Sequence, residues 1–349
     1  MICKKSFGRL GDGREAHLYT IGHENGLSAS FTDYGASVVS IMVPDKSGKF
    51  YDVALGCDCA GDYEKQTACL GGVPGRFANR IENGRFVLNG KEYLLEVNNG
   101  PNHLHGGSNG FHRRLWNAGI QDDRVVFTRL SPEGEGGYPG NLVVSVSYGF
   151  TEQGKLTIDF AALSDADTIL NLTNHTYFNL NGQGSGKVLR HRLKIFSQFF
   201  TENDGNCLPT GRVISLDEEE GSPFDFREFH PIGERIGADN QQLRNGSGYD
   251  HNYILAPNKE NIAAEAVGEL TGIHLVCRTT QPGLQLYTGN FLSEGNILGK
   301  RGGRYQNQEG FCLEAQHFPA SPSHPQFPNV VLRAGERFCQ QTTYEFLTV

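Results

Sequence analysis

Apolar and polar residues alternate along most of this chain with a period of two. Leu27-Ser-Ala-Ser-Phe31 and Ala36-Ser-Val-Val-Ser-Ile-Met-Val43 read as strands, with Asp33-Tyr34-Gly35 turning the chain between them and Pro44-Asp45 closing the second. The stretch from Arg85 to Leu95 predicts a hairpin, because Asn89-Gly90 supplies the two positive-φ positions that a tight turn between strands requires. Further strands are expected at 124–130, 142–150 and 155–163, with Thr151-Glu-Gln-Gly154 turning between the last two. Others are expected at 193–200, 273–279, 284–287 and 344–347. Residues 229–236 carry a short amphipathic helical pattern beginning near Pro231, and no segment holds a 3.6-residue period for three turns. No repeat, low-complexity linker or shift in composition divides the chain, so residues 1–349 read as one domain. The expected fold is all-β and mainly antiparallel: a large β-sandwich with few short helices, and with function in the loops and on one concave sheet face.

Composition agrees with that pattern. Forty-five glycines stand against 2 methionines, with 22 phenylalanines and 13 tyrosines, a balance that favours strands and tight turns. A chain of 349 residues can bury a large core without disulfide or metal. The formal charge of −8, with no long block of lysine or arginine, argues against nucleic acid and anionic membranes as partners. No apolar run approaches the roughly 18 residues of a membrane span. Met1-Ile-Cys-Lys-Lys-Ser6 has no apolar core of a secretory leader. The eight cysteines are irregularly spaced, Cys57-x-Cys59 is too tight for a zinc knuckle, and no second pair answers it. Reduced thiols in a cytoplasm are the expectation.

Four stretches crowd ring-bearing, charged and amide residues beside glycine: Gly75-Arg-Phe-Ala-Asn-Arg80, Asn98-Asn-Gly-Pro-Asn-His-Leu-His-Gly-Gly107, Asn171-Leu-Thr-Asn-His-Thr-Tyr-Phe-Asn179 and Phe311-Cys-Leu-Glu-Ala-Gln-His-Phe-Pro319. Together they offer imidazoles, a carboxylate, guanidinium groups and amides, a set suited to a ligand with many hydroxyls and one proton-transfer centre. Other chemistries lack support. The glycine-rich run at 134–138 has no strand–loop–helix context for a phosphate cradle, and there is no G-x-S-x-G elbow. His103-x-His105 could ligate a metal, but no third ligand stands at a recognisable spacing, so no metal is expected.

These residues resemble a known family. Asn79-Arg80, Leu104-His-Gly-Gly107, Asn171-Leu-Thr-Asn-His175-x-Tyr-Phe-Asn179, Tyr249-Asp-His-Asn252 and Leu313-Glu-x-Gln-His-Phe-Pro319 look like the galactose mutarotases, or aldose 1-epimerases. The likeness runs from about Tyr34-Gly35-Ala36 to the C-terminal strand. It implies a galactose-mutarotase-like β-sandwich that interconverts the α and β anomers of free hexoses such as galactose and glucose, without cofactor, as a monomer or weak homodimer. Carried over motif by motif, Glu314 is the base at the C1 hydroxyl and His175 the acid at the ring oxygen. His105, Arg80, Asn79, Asp250 and Gln285 are the expected sugar contacts.

Some positions admit plainer roles. His103 and His317 read as packing or hydrogen-bonding residues, and Tyr177, Phe178 and Phe291 could serve a sugar face or the core equally. The turn at Asp167-Thr-Ile-Leu170 lacks the family's usual proline. Ala315 and Ala320 replace residues that are commonly polar, which puts the hydrogen bonding around Glu314 in doubt. Residues 183–187 read as a mobile loop that could gate the site. Two alternatives remain: a hexose-phosphate epimerase, with Arg76, Arg113 and Arg114 as a phosphate clamp, and a non-catalytic carbohydrate-binding protein, which would be expected to have lost Glu314 or His175.

Overall fold

Three antiparallel sheets carry most of the chain in the computed structural model, which describes residues 2–295 and 297–349. The largest has nine strands, in the order Asn117–Gln121, Arg124–Ser131, Leu142–Phe150, Leu156–Ser164, Arg337–Thr348, Ile273–Thr279, Ile262–Val267, Arg192–Ile195 and His230–Pro231. A six-stranded sheet runs Tyr177–Phe178, Phe311–Gln316, Gly283–Tyr287, Asp250–Leu255, Ser197–Asn203 and Pro209–Ser215. A five-stranded sheet holds the N-terminal strands from Ile2–Arg9 to Phe50–Asp52. One apolar cluster joins them: Val144, Val146, Tyr148 and Ile158 from the first sheet, Leu284, Leu286 and Leu313 from the second, and Phe31, Val38 and Ile41 from the third. Alternation accounts for this packing. In Leu142–Phe150, the even-numbered residues through Tyr148 are buried while the odd-numbered residues between them are exposed or partly so.

The six-stranded sheet positions the chemistry. Its Phe311, Leu313, Leu284 and Leu286 face the shared core, so the residues between them project from the opposite face. Register sets Asn252, Gln285 and Glu314 side by side across three strands, and Asp250, Tyr287, Cys312 and Tyr177 side by side across four. All six residues of Phe311–Gln316 are buried, so both faces of this strand are covered.

Most expected strands appear, including the hairpin at Arg85–Leu88 and Lys91–Leu94. Two expectations fail. The single strand expected at 193–200 is two, Arg192–Ile195 and Ser197–Asn203, because the chain leaves one sheet at Phe196 and enters another. Residues 229–236 form no helix: His230–Pro231 pairs with Arg192–Ile195 at the edge of the large sheet, where a proline lacking N–H is tolerated. The two α-helices lie instead at Ala60–Lys65 and Gln241–Gly246. The second starts at Asn240, whose side chain caps the N–H groups of Gln242 and Leu243.

Arg76, considered above for a phosphate clamp, is part of this framework. It is 1% exposed and donates to the carbonyls of Pro139, Gly140 and Ser131 at 2.6–3.0 Å and to Ser131 Oγ at 2.7 Å. Removing the guanidinium would strand several buried acceptors, each costing about 1–3 kcal/mol. Arg76→Met is therefore expected to lower the unfolding free energy by about 3 kcal/mol or more in urea titrations, and Arg76→Lys, lacking the planar fork, should not restore it. A loss below about 1 kcal/mol would contradict this role.

Candidate active site

A cavity of about 460 Å³ opens on the free face of the six-stranded sheet. Glu314, His175, His105, Asn79, Arg80, Asp250, Tyr177 and Tyr287 line it, with Thr67, Cys69, Phe291 and Glu294 among the residues completing its wall. The imidazole Nε2 of His175 stands 3.6 Å from Glu314 Oε1, and both side chains are almost wholly buried. Glu314 Oε2 is buried without a hydrogen-bond partner among the described residues.

Backbone bonds and amide side chains fix His175. Its N–H donates to Gly72 O at 2.8 Å, and its carbonyl accepts from Gly71 N–H at 2.9 Å. The Asn174 side chain donates to Gly71 O and accepts from both the N–H and the hydroxyl of Thr176. Asn171 works at longer range, donating to Ala78 O and His317 O and accepting from His317 N–H. Asn171 thus ties three of the four sequence stretches together, Asn174 fixes the segment to Gly71, and neither lines the cavity. The His175 ring lies stacked on Tyr177, with centroids 4.9 Å apart.

On the adjoining wall, Asn79 and His105 hold one another. Asn79 N–H donates to His105 Nδ1 at 3.1 Å and His105 N–H donates to Asn79 O at 3.0 Å, with both residues in the left-handed region at φ 64° and 55°. Because Nδ1 accepts, the neutral ring carries its proton on Nε2 and is left a donor there. Gly106 follows because a Cβ at that position would lie 1.8 Å from Gly75 O. Arg80 is oriented by Asn99 Oδ1 at 3.0 Å and lies 3.8 Å from Asp250 Oδ2, while Asp250 Oδ1 accepts from Gln285 Nε2 at 2.6 Å. Carboxylate and guanidinium stand side by side, an acceptor and a donor set for hydroxyl groups.

Burial shifts the titrating groups in opposite senses. It pushes the Glu314 carboxyl well above its ordinary range; Asp250's charge adds to this and Arg80 partly offsets it. Burial also lowers His175 to about 4. His105 is held well below its usual range by burial, then by His175, His112 and Arg80 nearby. A raised carboxyl is a stronger base when ionised, and a depressed imidazole a stronger acid when protonated, so the pair is suited to proton exchange with a shared ligand.

A family model described as "Aldose 1-epimerase" matches residues 17–345. The chain belongs to the aldose 1-epimerase family. It is 40% identical over 321 residues to the galactose mutarotase of Bos taurus, covering 92% of this chain and 91% of that one. It is 35% identical over 341 residues to the aldose 1-epimerase of Escherichia coli K12, covering 96% of each. Among solved structures, a GalM/aldose epimerase homologue from C. elegans superposes with a TM-score of 0.87 at 33% identity, covering 95% of this chain and 98% of the other. A galactose 1-epimerase from Lactobacillus acidophilus gives 0.87 at 27% identity, covering 100% and 99%. The fold is that of the galactose mutarotases, and the protein is an isomerase with mutarotase function.

Six of the seven residues expected at the site line the cavity. Gln285 does not: it stands behind the wall, bonded to Asp250. Tyr177 and Phe291 line the cavity, whereas Phe178 belongs to the core. His103 is a packing residue between Glu96 O and Tyr138 Oη, and His317 bonds Gln281. Ala315 faces the core, so its small side chain removes nothing from Glu314's surroundings, contrary to the doubt raised by the sequence. Ala320 lies at φ 56°, where its N–H holds Arg80 O. Residues 183–187 contribute nothing to the cavity wall, so the expected gate has no support, and Gln183 is bonded to Asp52 O and Tyr305. Tyr287, Asn99 and Cys69 were missed as wall residues, since none sits beside a charged residue or histidine in the chain.

These shifts imply a stability profile. A carboxyl raised on folding favours the folded state fully below the unfolded value near 4.5, and that contribution is lost as pH rises through the folded value. Glu314→Gln should therefore unfold at a higher temperature than wild type at pH 7–8, with the gap closing toward pH 4. Histidines depressed on folding act oppositely. His175, held at about 4, and His112 and His251, at about 3, favour folding above 6.5 and lose this as pH falls through those values. Wild-type melting temperature should thus decline from pH 6.5 toward pH 3; a gap for Glu314→Gln that is flat with pH would contradict the Glu314 assignment.

Proposed function

We propose that Glu314 and His175 carry the acid–base steps that interconvert α and β anomers of free hexoses such as galactose and glucose. The observation that carries this is their 3.6 Å approach, side by side in the wall of a cavity that also presents Arg80, Asn79, Asp250 and His105. Ring opening needs a base at the C1 hydroxyl and an acid at the ring oxygen. Glu314 takes the hydroxyl proton while His175 delivers one to the ring oxygen, and the C1–O5 bond breaks. This leaves Glu314 protonated and His175 neutral, the state that burial favours. After rotation about C1–C2, the ring oxygen attacks the other face of the carbonyl. Glu314 then returns its proton to O1 and His175 recovers one from O5, so each cycle conserves protons.

In this reading the His105 Nε2–H donates toward the ring-oxygen side, and Arg80, Asn79 and Asp250 bind the remaining hydroxyls. Gln285 contributes by orienting Asp250. Tyr177, Tyr287 and Phe291 offer apolar surface to the sugar. A phosphorylated hexose fits less well. Arg113 and Arg114 are absent from the wall, with Arg113 spent on backbone carbonyls. Asp250 and Glu294 in the wall would repel a phosphate dianion. The proposal includes a cytoplasmic location and a single-domain subunit, monomeric or weakly dimeric. Its support is eight unpaired thiols, five of them buried, and one apolar cluster spanning all three sheets.

Polarimetry of freshly dissolved α-galactose and α-glucose tests the reading. The protein should accelerate approach to equilibrium, and Glu314→Gln and His175→Asn should each lower kcat by about 10²–10⁴-fold with smaller changes in KM. Equilibration at the uncatalysed rate with the wild-type protein would overturn it.

A further inference from the structure

The acid–base pair has a third neighbour that proton transfer does not use. Cys312 precedes Glu314 by two residues on Phe311–Gln316, so their side chains project from the same face of the strand. Cys312 Sγ lies 3.5 Å from His175 Nδ1, and Glu314 Oε1 lies 3.6 Å from His175 Nε2. One ligand atom from each of the three residues lies within 4.8 Å of the others. A tetrahedral zinc ion with bonds of about 2.0–2.3 Å sets nitrogen, oxygen and sulfur ligands roughly 3.3–3.6 Å apart. The two short contacts are to opposite ring nitrogens, of which one ion uses one, so the three side chains would draw in from a spread of up to 4.8 Å to close on it. A second observation marks the same place: Glu314 Oε2, in a residue 2% exposed, has no hydrogen-bond partner among the described residues.

The geometry points to a binding site for one thiophilic divalent cation at His175, Cys312 and Glu314, whose occupation blocks the hexose. Thiolate, imidazole and carboxylate together favour zinc, cadmium or cobalt over magnesium or calcium, which prefer all-oxygen sites. His175, Glu314 and Cys69 line the cavity, so Cys69 or water entering there can supply the fourth ligand. Binding is a ligand exchange: the cation forms a metal–sulfur bond, the Cys312 thiol releases its proton to solvent, and the imidazole coordinates through one nitrogen. No electron is transferred. The ion engages the two groups assigned to acid–base chemistry and enters through the sugar's own cavity, so it should compete with the hexose. That competition rests on the function proposed above; the binding itself does not.

Cobalt(II) reports binding without turnover. Added to the full-length protein in which the exposed Cys3 and Cys339 are replaced by serine, one equivalent should give an intense near-ultraviolet thiolate-to-cobalt band. Cys312→Ser should abolish this band and weaken cobalt binding at least about tenfold. Cys312→Ala, with circular dichroism to confirm folding, should do the same. In polarimetric assays, zinc should raise the KM for galactose without changing kcat, and a chelator should reverse the effect. A wild-type protein that gives no thiolate band, or a band retained in both folded Cys312 variants, would overturn the site. Zinc inhibition that is undiminished in Cys312→Ser would overturn its link to catalysis. If cobalt binds as expected but no mutarotation is found, the functional reading fails and the metal site stands.

Discussion

The structure turns on one carboxyl group buried in the wall of a cavity. Glu314 sits on a strand whose residues are all buried, and among the described residues one of its oxygens has no hydrogen-bond partner. A buried ionised carboxylate is costly unless paired, so the carboxyl retains a proton until something in the cavity takes it. Each surrounding feature modulates that tendency. Asp250 stands in the adjacent cross-strand row and strengthens the hold on the proton, Arg80 weakens it, and Gln285 spaces and orients the first of these. The core on the far side of the sheet, through Leu313, Leu284 and Leu286, fixes the face from which Glu314 projects.

Holding His175 within reach of that carboxyl requires loops to behave as rigidly as strands. The segment bearing it forms paired backbone bonds with Gly71 and Gly72, and Asn174 closes a tight local turn. Asn171 then fastens this segment to the loop of Ala78 and to the strand end at His317. Arg76 secures the same loop from behind, through carbonyls that have no other side-chain donor of comparable reach. The amides that look like sugar contacts in the sequence divide into two groups. Asn79 reaches the cavity, whereas Asn171 and Asn174 join the segments that make it.

Alternation made the strands legible because each of the three main sheets buries one face in a common core. It could not show where the chain changes sheets. Leu193 and Phe200 look like parts of one strand, but the chain changes sheets at Phe196, the buried phase shifts at residues 198–199, and no residue there announces a break. The helix expected at 229–236 failed because a six-residue apolar pattern around a proline fits a sheet edge equally well. At the site, the four polar stretches were visible because charged and ring-bearing residues cluster locally. Tyr287 was not, being a single residue on an otherwise apolar strand that cross-strand register brings to the wall, and nor was Cys69, which reaches the wall from a loop. Ala315 misled for the same reason: sequence adjacency to Glu314 places it on the opposite face.

The same burial that sharpens the proton chemistry sets its cost. Burial displaces the carboxyl and the imidazole in opposite directions and so biases the empty pair toward its neutral form. A bound sugar changes this by presenting hydroxyls to the orphaned oxygen and to the His105 donor, which favours the charged state without a net proton from solvent. Substrate binding and activation of the pair are then one event. A site of this kind needs a low-dielectric cavity, fixed donors and exact conservation of protons, and the buried strand, the asparagine ties and the Asp250–Gln285 contact supply these in turn.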